Sequence, residues 1–140
     1  MSQQEIKSEI ERILDHNKVG TMATVQNGKP HSRYMTFFRD GLTLYTATDK
    51  DTHKVDELNQ NPFTHILLGY EGEGVGDEFV EFEGRVQQSD SEEIKKKVWN
   101  PHLENWFSGP NDPNLLILEI IPEQISLMNK KDLKRRLLEL

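Results

Sequence analysis

Two dipeptides, Asn27-Gly28 and Asp40-Gly41, each set between runs of β-branched and aromatic residues, constrain this chain more than any other feature. Such dipeptides accept the positive φ angles of a tight two-residue hairpin, whose twist matches that of its strands. Residues 19–26 (VGTMATVQ) therefore turn back into the run 30–39, and residues 42–48 extend the hairpin into an antiparallel meander. The third run opens into Asp49-Lys50-Asp51-Thr52. Val55 and Leu58 then mark one face of a short helix that Asn61-Pro62 stops.

A helix N-terminus just past a strand end presents unpaired N–H groups and the positive end of the helix dipole. Arg33, Lys50, His53 and Lys54 lie near that corner, and Thr48 and Thr52 add hydroxyls that can donate to phosphate oxygens. The pattern reads as a phosphate-binding corner. The same residues also read as ordinary strand-end and capping residues with solvated basic groups, and composition does not separate the two.

The net charge of −7 makes this local basic cluster informative, and it argues against a nucleic-acid binder, which needs a basic face. A length of 140 residues predicts one domain with a real core, and the absence of cysteine excludes disulfides and thiolate chemistry. The longest apolar run, 115–121, is broken by Glu119 and is too short to span a bilayer. The polar N-terminus carries no signal-peptide core, so the expected location is cytoplasmic, with no membrane partner.

Elsewhere, Ser2-Gln3-Gln4-Glu5 is a capping box that opens an amphipathic helix within residues 1–17. Residues 63–70 read as a fourth strand, and 71–77 (EGEGVGD) as an acidic connection. Residues 78–89 alternate as a fifth strand with Val80, Phe82, Gly84 and Val86 on its buried face. A helix follows Ser89 and ends near Asn100-Pro101; residues 101–114 are irregular, and 115–121 form a strand buried on both faces. Residues 126–128 continue or pair with that strand. The basic tail, 130–140, is expected to be a helix with Leu133, Leu137 and Leu140 on one stripe and its charges in solvent. Short strands with flanking helices and no βαβ alternation predict an antiparallel barrel.

Other chemistry finds little support. The glycine-rich loop lacks nucleotide-binding spacing and carries Glu71, Glu73 and Asp77, which repel phosphate. Of His16, His31, His53, His65 and His102, none forms a compact metal pair, so no metal is expected. Trp99, Trp106 and Phe107 on or beside an irregular segment cover a core end, pack a partner, or lie over a planar ligand.

The succession GTMATVQNGKPHSRYMTFF, then DGLTLYTATDKDTHKVDELNQNP, resembles the pyridoxamine 5'-phosphate oxidase-like split barrels that bind FMN, above all their short general-stress-protein branch. The resemblance covers about residues 5–122 and implies an antiparallel FMN-binding split β-barrel. It implies that Arg33 and Lys54 bind the FMN phosphate with help from Thr48 and Thr52, His53 standing where some relatives have arginine. It further implies that main-chain groups of Tyr34, Met35 and Thr36 face the polar edge of the flavin ring. A homodimer with the flavin at the subunit interface is implied too, with Trp106 approaching a flavin held mainly by the other chain. The chain departs from true pyridoxamine phosphate oxidases near its C-terminus, where residues 122–128 (PEQISLM) hold no tryptophan and no histidine follows. Oxidation of vitamin B6 is therefore not expected. A flavin-dependent oxidoreductase of unknown small-molecule substrate, a non-catalytic flavin-binding stress protein, and a barrel using deazaflavin or haem all stay open.

Overall fold

The computed structural model describes residues 1–72, 77–128 and 134–140, with the backbone alone described at 53 and 54. Helix α1 (Gln3–His16) starts as its sequence requires: the Ser2 hydroxyl accepts the Glu5 amide, and the Glu5 carboxylate accepts the Ser2 amide, each at 3.1 Å. Strands β1 (Val19–Gln26) and β2 (Lys29–Thr36) make the first hairpin, with Asn27 at φ 52° and Gly28 at φ 76°. The second turn sits one residue later than expected. Strand β3 (Phe38–Asp40) pairs with β4 (Thr43–Asp49) so that Asp40 faces Thr43, making Gly41-Leu42 the loop, with Gly41 at φ 60°. There follow α2 (His53–Gln60), β5 (Phe63–Leu68), β6 (Phe79–Ser89), α3 (Glu92–Val98), a 3₁₀ helix (Pro101–Asn105), β7 (Leu115–Met128) and β8 (Arg136–Leu138). Residues 73–76 of the expected acidic connection lie outside the described residues.

The expected meander ends at β2. Strand β4 pairs with β7 instead, giving the order β2-β1-β5-β6-β7-β4-β3, with β8 also on β7. The cause lies at Phe37, whose side chain turns into the interior and whose amide donates to the Lys18 carbonyl at 2.6 Å. Beyond it the chain leaves the β1 ladder and re-enters at the opposite end of the sheet. The two ends of the sheet are thus joined by one residue, so the sheet must curl into a split barrel. Across the split, the Thr46 hydroxyl donates to the Thr36 carbonyl at 2.7 Å.

The barrel interior is filled by Met22, Phe37, Leu44, Ile66, Phe82 and their neighbours, with Ile6, Ile10, Ile13 and Leu14 added from α1. A second cluster lies outside the barrel wall, where Val98, Leu103 and Phe107 cover Tyr45, Leu115 and Ile117. Leu116 and Leu118 face the interior while Leu115 and Ile117 face outward, which explains why residues 115–118 are all apolar. A register shift opposite Glu83 and Gly84 bends β7, so its first part pairs with β4 and its last part with β8.

The tail is a strand where a helix was expected. Pairing with Ile125–Leu127 satisfies its backbone, Leu138 enters the interior core, and Gln3 clamps it by donating to the Leu137 carbonyl (3.2 Å) and accepting the Glu139 amide (2.7 Å). Leu137 is half exposed, so the three-leucine stripe does not form; Lys130, Lys131 and Leu133 lie outside the described residues. Among the described residues, no helix is long and apolar enough to cross a membrane. If β8 is part of the core, Leu138→Ala should cost about 2–3 kcal/mol in urea unfolding. A change within about 0.5 kcal/mol would mean the tail is not docked.

Candidate functional site

The split between β2 and β4 leaves two strand edges facing each other. Because the Thr36 carbonyl points across the split, strand alternation turns the main chain of Tyr34 the same way, and that of Met35 into the β1 ladder opposite Gly20. On the other rim the β3–β4 ladder ends at Phe38 and Tyr45, so β4 continues from Thr46 to Asp49 past the last β3 partner. Open strand edges of this kind offer a row of donors and acceptors to any planar polar group laid along them.

A cavity of about 340 Å³ occupies this split. Its floor is Met35, Thr36, Thr46 and Ala47, and one wall is Tyr34, which is 78% exposed. The other wall comes from the 3₁₀ helix. Asn100 caps that helix by accepting the His102 amide at 2.9 Å, and Leu103 and Phe107 anchor it in the outer cluster. That anchoring leaves Trp106 64% exposed and edge-on to the His102 ring (5.0 Å between centroids). His102 Nε2 lies 3.4 Å from the Thr36 hydroxyl across the cleft.

At the other end of the cavity, buried Thr48 brings its hydroxyl to 3.3 Å from that of Thr52. Thr52 is the N-cap residue of α2 but makes no side-chain capping bond. The first amides of α2 therefore start beside the cleft without the usual cap. Asp49 also lines this end, and its Oδ1 accepts the Asp51 amide at 2.9 Å.

Arg33 lies one inward step along β2 from Met35, on the side opposite Tyr34. Its Nη1 donates to the Thr24 hydroxyl (2.7 Å) and the Met22 carbonyl (3.4 Å), and its Nη2 to Glu57 Oε2 at 2.9 Å. Thr24 donates to the same carboxylate oxygen, and His31 Nδ1 lies 3.2 Å from the other. Glu57 is only 3% exposed. Burial alone would push this carboxyl up. Hydrogen bonds from Thr24 and Arg33, with the Arg33 charge, outweigh it and hold the group below its ordinary value of 4.5.

Of the residues expected from sequence, Tyr34, Met35, Thr36, Thr48 and Trp106 surround one cavity, and Thr52 joins them through Thr48. Trp106 stands across the cleft from Tyr34 of its own chain. Arg33 is absent from the cavity wall and is held from below by Glu57; the side chains of His53 and Lys54 lie outside the described residues. Sequence reasoning missed Thr46, His102, Glu57 and Thr24. Glu57 had a local signal, since it sits beside Leu58 on the buried side of α2. A larger hollow of about 460 Å³ on the outer face, between Phe63, Val25 and Glu123, has no open strand edge and no cationic cluster. The cleft is the better candidate.

Comparison with known proteins agrees with this fold. A family model described as pyridoxamine 5'-phosphate oxidase matches residues 6–129. General stress protein 26 of Bacillus subtilis is 60% identical over 129 residues, 92% of each chain. The crystal structure of General Stress Protein 26 from Bacillus anthracis is 33% identical, with a TM-score of 0.84 over 96% of this chain and 98% of that one. A more distant structure, described as a pyridoxamine 5'-phosphate oxidase-related, FMN binding protein from Nostoc punctiforme, shares the fold at 19% identity (TM-score 0.64, 88% of this chain and 80% of that one).

The depressed Glu57 carboxyl carries a pH signature. Its contribution to stability is fully present above 4.5, where the unfolded chain is also ionised, and is lost as pH falls through the lower folded value. Glu57→Gln should therefore lower stability near neutrality and flatten the loss that sets in as pH falls below the ordinary carboxylate value of 4.5. Parallel acid limbs for the two proteins, measured by urea titration, would contradict the assignment.

Proposed function

The chain belongs to the pyridoxamine 5'-phosphate oxidase family, and on that premise we propose that it binds FMN in the β2–β4 split and works as a flavin-dependent oxidoreductase on a small molecule. One observation carries the reading: open main-chain edges and aromatic walls lead directly to a hydroxyl pair at an uncapped helix start. Tyr34 and Thr36 offer main-chain donors and acceptors to the polar edge of the ring, and Trp106 and Tyr34 offer aromatic surface to its faces. Thr48, Thr52 and the first α2 amides receive the phosphate, with Arg33, Lys54 and His53 supplying positive charge. The Nostoc punctiforme protein of this fold described as FMN binding supports FMN over deazaflavin or haem.

Bound FMN supplies the hydride or single-electron chemistry, and the protein supplies position and electrostatics. Besides Tyr34, the ionisable side chains lining the cleft among the described residues are Asp49 and His102, and one Asp49 oxygen accepts the Asp51 amide. No protein acid or base is assigned. Nor is vitamin B6 the substrate in this reading, because residues 122–128 lack the family's substrate-holding pattern. We place the protein in the cytoplasm and read it as a homodimer with the flavin at the subunit interface. Apolar surface at Val19, Tyr34, Phe63 and Leu67 supports the dimer, since Tyr34 belongs to the cleft as well.

Titrating the cofactor-stripped protein should show saturable binding near one FMN per chain, and binding of riboflavin weaker by roughly tenfold or more. Equal affinity for the two would sink the phosphate end of the site. Arg33→Ala combined with Lys54→Ala should abolish that preference. Reduction of the bound flavin by NADH or NADPH, followed by catalytic reoxidation, separates an oxidoreductase from a flavin-storing stress protein.

A further inference from the structure

The geometry points to Glu57 as a positioning residue that, with Thr24, holds the Arg33 guanidinium in the one orientation that serves the phosphate; the inference rests on the FMN reading above. A guanidinium has five N–H donors in a rigid fork. Thr24 takes an Nη1 hydrogen and also donates to the Glu57 oxygen that takes an Nη2 hydrogen. This closed triangle engages the end of the fork, and the Met22 carbonyl takes the second Nη1 hydrogen. The remaining donors are Nε–H, which makes no hydrogen bond among the described residues, and the Nη2 hydrogen beside it. Together they form the lateral edge, which also presents two parallel donors that match two oxygens of a phosphate.

Burial makes the arrangement exacting. Thr24 is 1% exposed and Glu57 3%, so neither anchor can be replaced by water without opening the packing between α2 and β1. Arg33 itself is 25% exposed, so its side chain is not sealed in with the two anchors that hold it. Glu57 lies five positions beyond the capping residue Thr52, about 7–8 Å along the helix. One short helix therefore sets both the uncapped amides at its start and the orientation of the cation.

The test is the ratio of riboflavin to FMN dissociation constants, because the two ligands share everything except the phosphate. Wild-type protein is measured first; equal affinities there would sink the FMN reading itself and not this inference. Given a wild-type preference, Glu57→Ala should lower the ratio roughly tenfold, with riboflavin affinity within about threefold of wild type. Glu57→Gln should restore much of the preference, since its amide oxygen still accepts from Thr24 and Arg33. A ratio unchanged in Glu57→Ala would make the carboxylate merely structural, and a raised ratio would make it a competitor for Arg33; either overturns the inference. Should Glu57→Ala fail to fold, Thr24→Val decides: a fall of about threefold or more is expected, and an unchanged ratio overturns the proposal.

Discussion

The structure depends on one discontinuity in the backbone ladder. At Phe37 the chain stops bonding to β1 and crosses to the far end of the same sheet, so the barrel closes through a covalent link and not through a continuous ladder. Closure normally removes strand edges, and here it leaves two, held a side chain's length apart by the Thr46–Thr36 bond. A strand edge exposed to solvent invites pairing with another chain. This one is recessed between the walls set by Tyr34 and Trp106, which suits a small planar partner better than another strand.

Much of the local structure was legible because its signals are local. Asn27-Gly28, the Ser2–Glu5 capping box and the alternation of β6 each act within a few residues, and each appears where the residues require it. The strand order was not legible, because β4 with β7 and β1 with β5 are pairings between distant segments that turn chemistry does not encode. The tail failed for a related reason. Leu137 and Leu138 suit either period over so short a stretch, and the free edge offered by Ile125–Leu127 decides for a strand.

The candidate site shows the same division. The right strand was readable, but its two faces were not: alternation sends Tyr34 and Thr36 main-chain groups to the cleft while Arg33 points inward. Nothing in the spacing of residues 33–36 announces that a buried carboxylate waits under Arg33, because Glu57 comes from an element 24 residues away. Thr48 and Thr52 were readable as a pair because the strand-to-helix turn that joins them is itself local. His102 and Trp106 were not assignable to a wall until Leu103 and Phe107 fixed the 3₁₀ helix against β4 and β7.

A division of labour follows from where the polar groups come from. Main-chain edges depend little on side-chain identity, so in the FMN reading recognition of the planar ring would rest on the closure of the barrel. Charge recognition is different, since it rests on a side chain that must be buried enough to be held and exposed enough to act. Arg33 meets both demands by spending the end of its fork on Thr24 and Glu57, which removes the desolvation problem a lone cation would face in an acidic chain. Placing that counter-ion on α2 couples the cation to the same helix whose first turn starts beside the cleft, so in the proposed reading a single short element would organise the phosphate end.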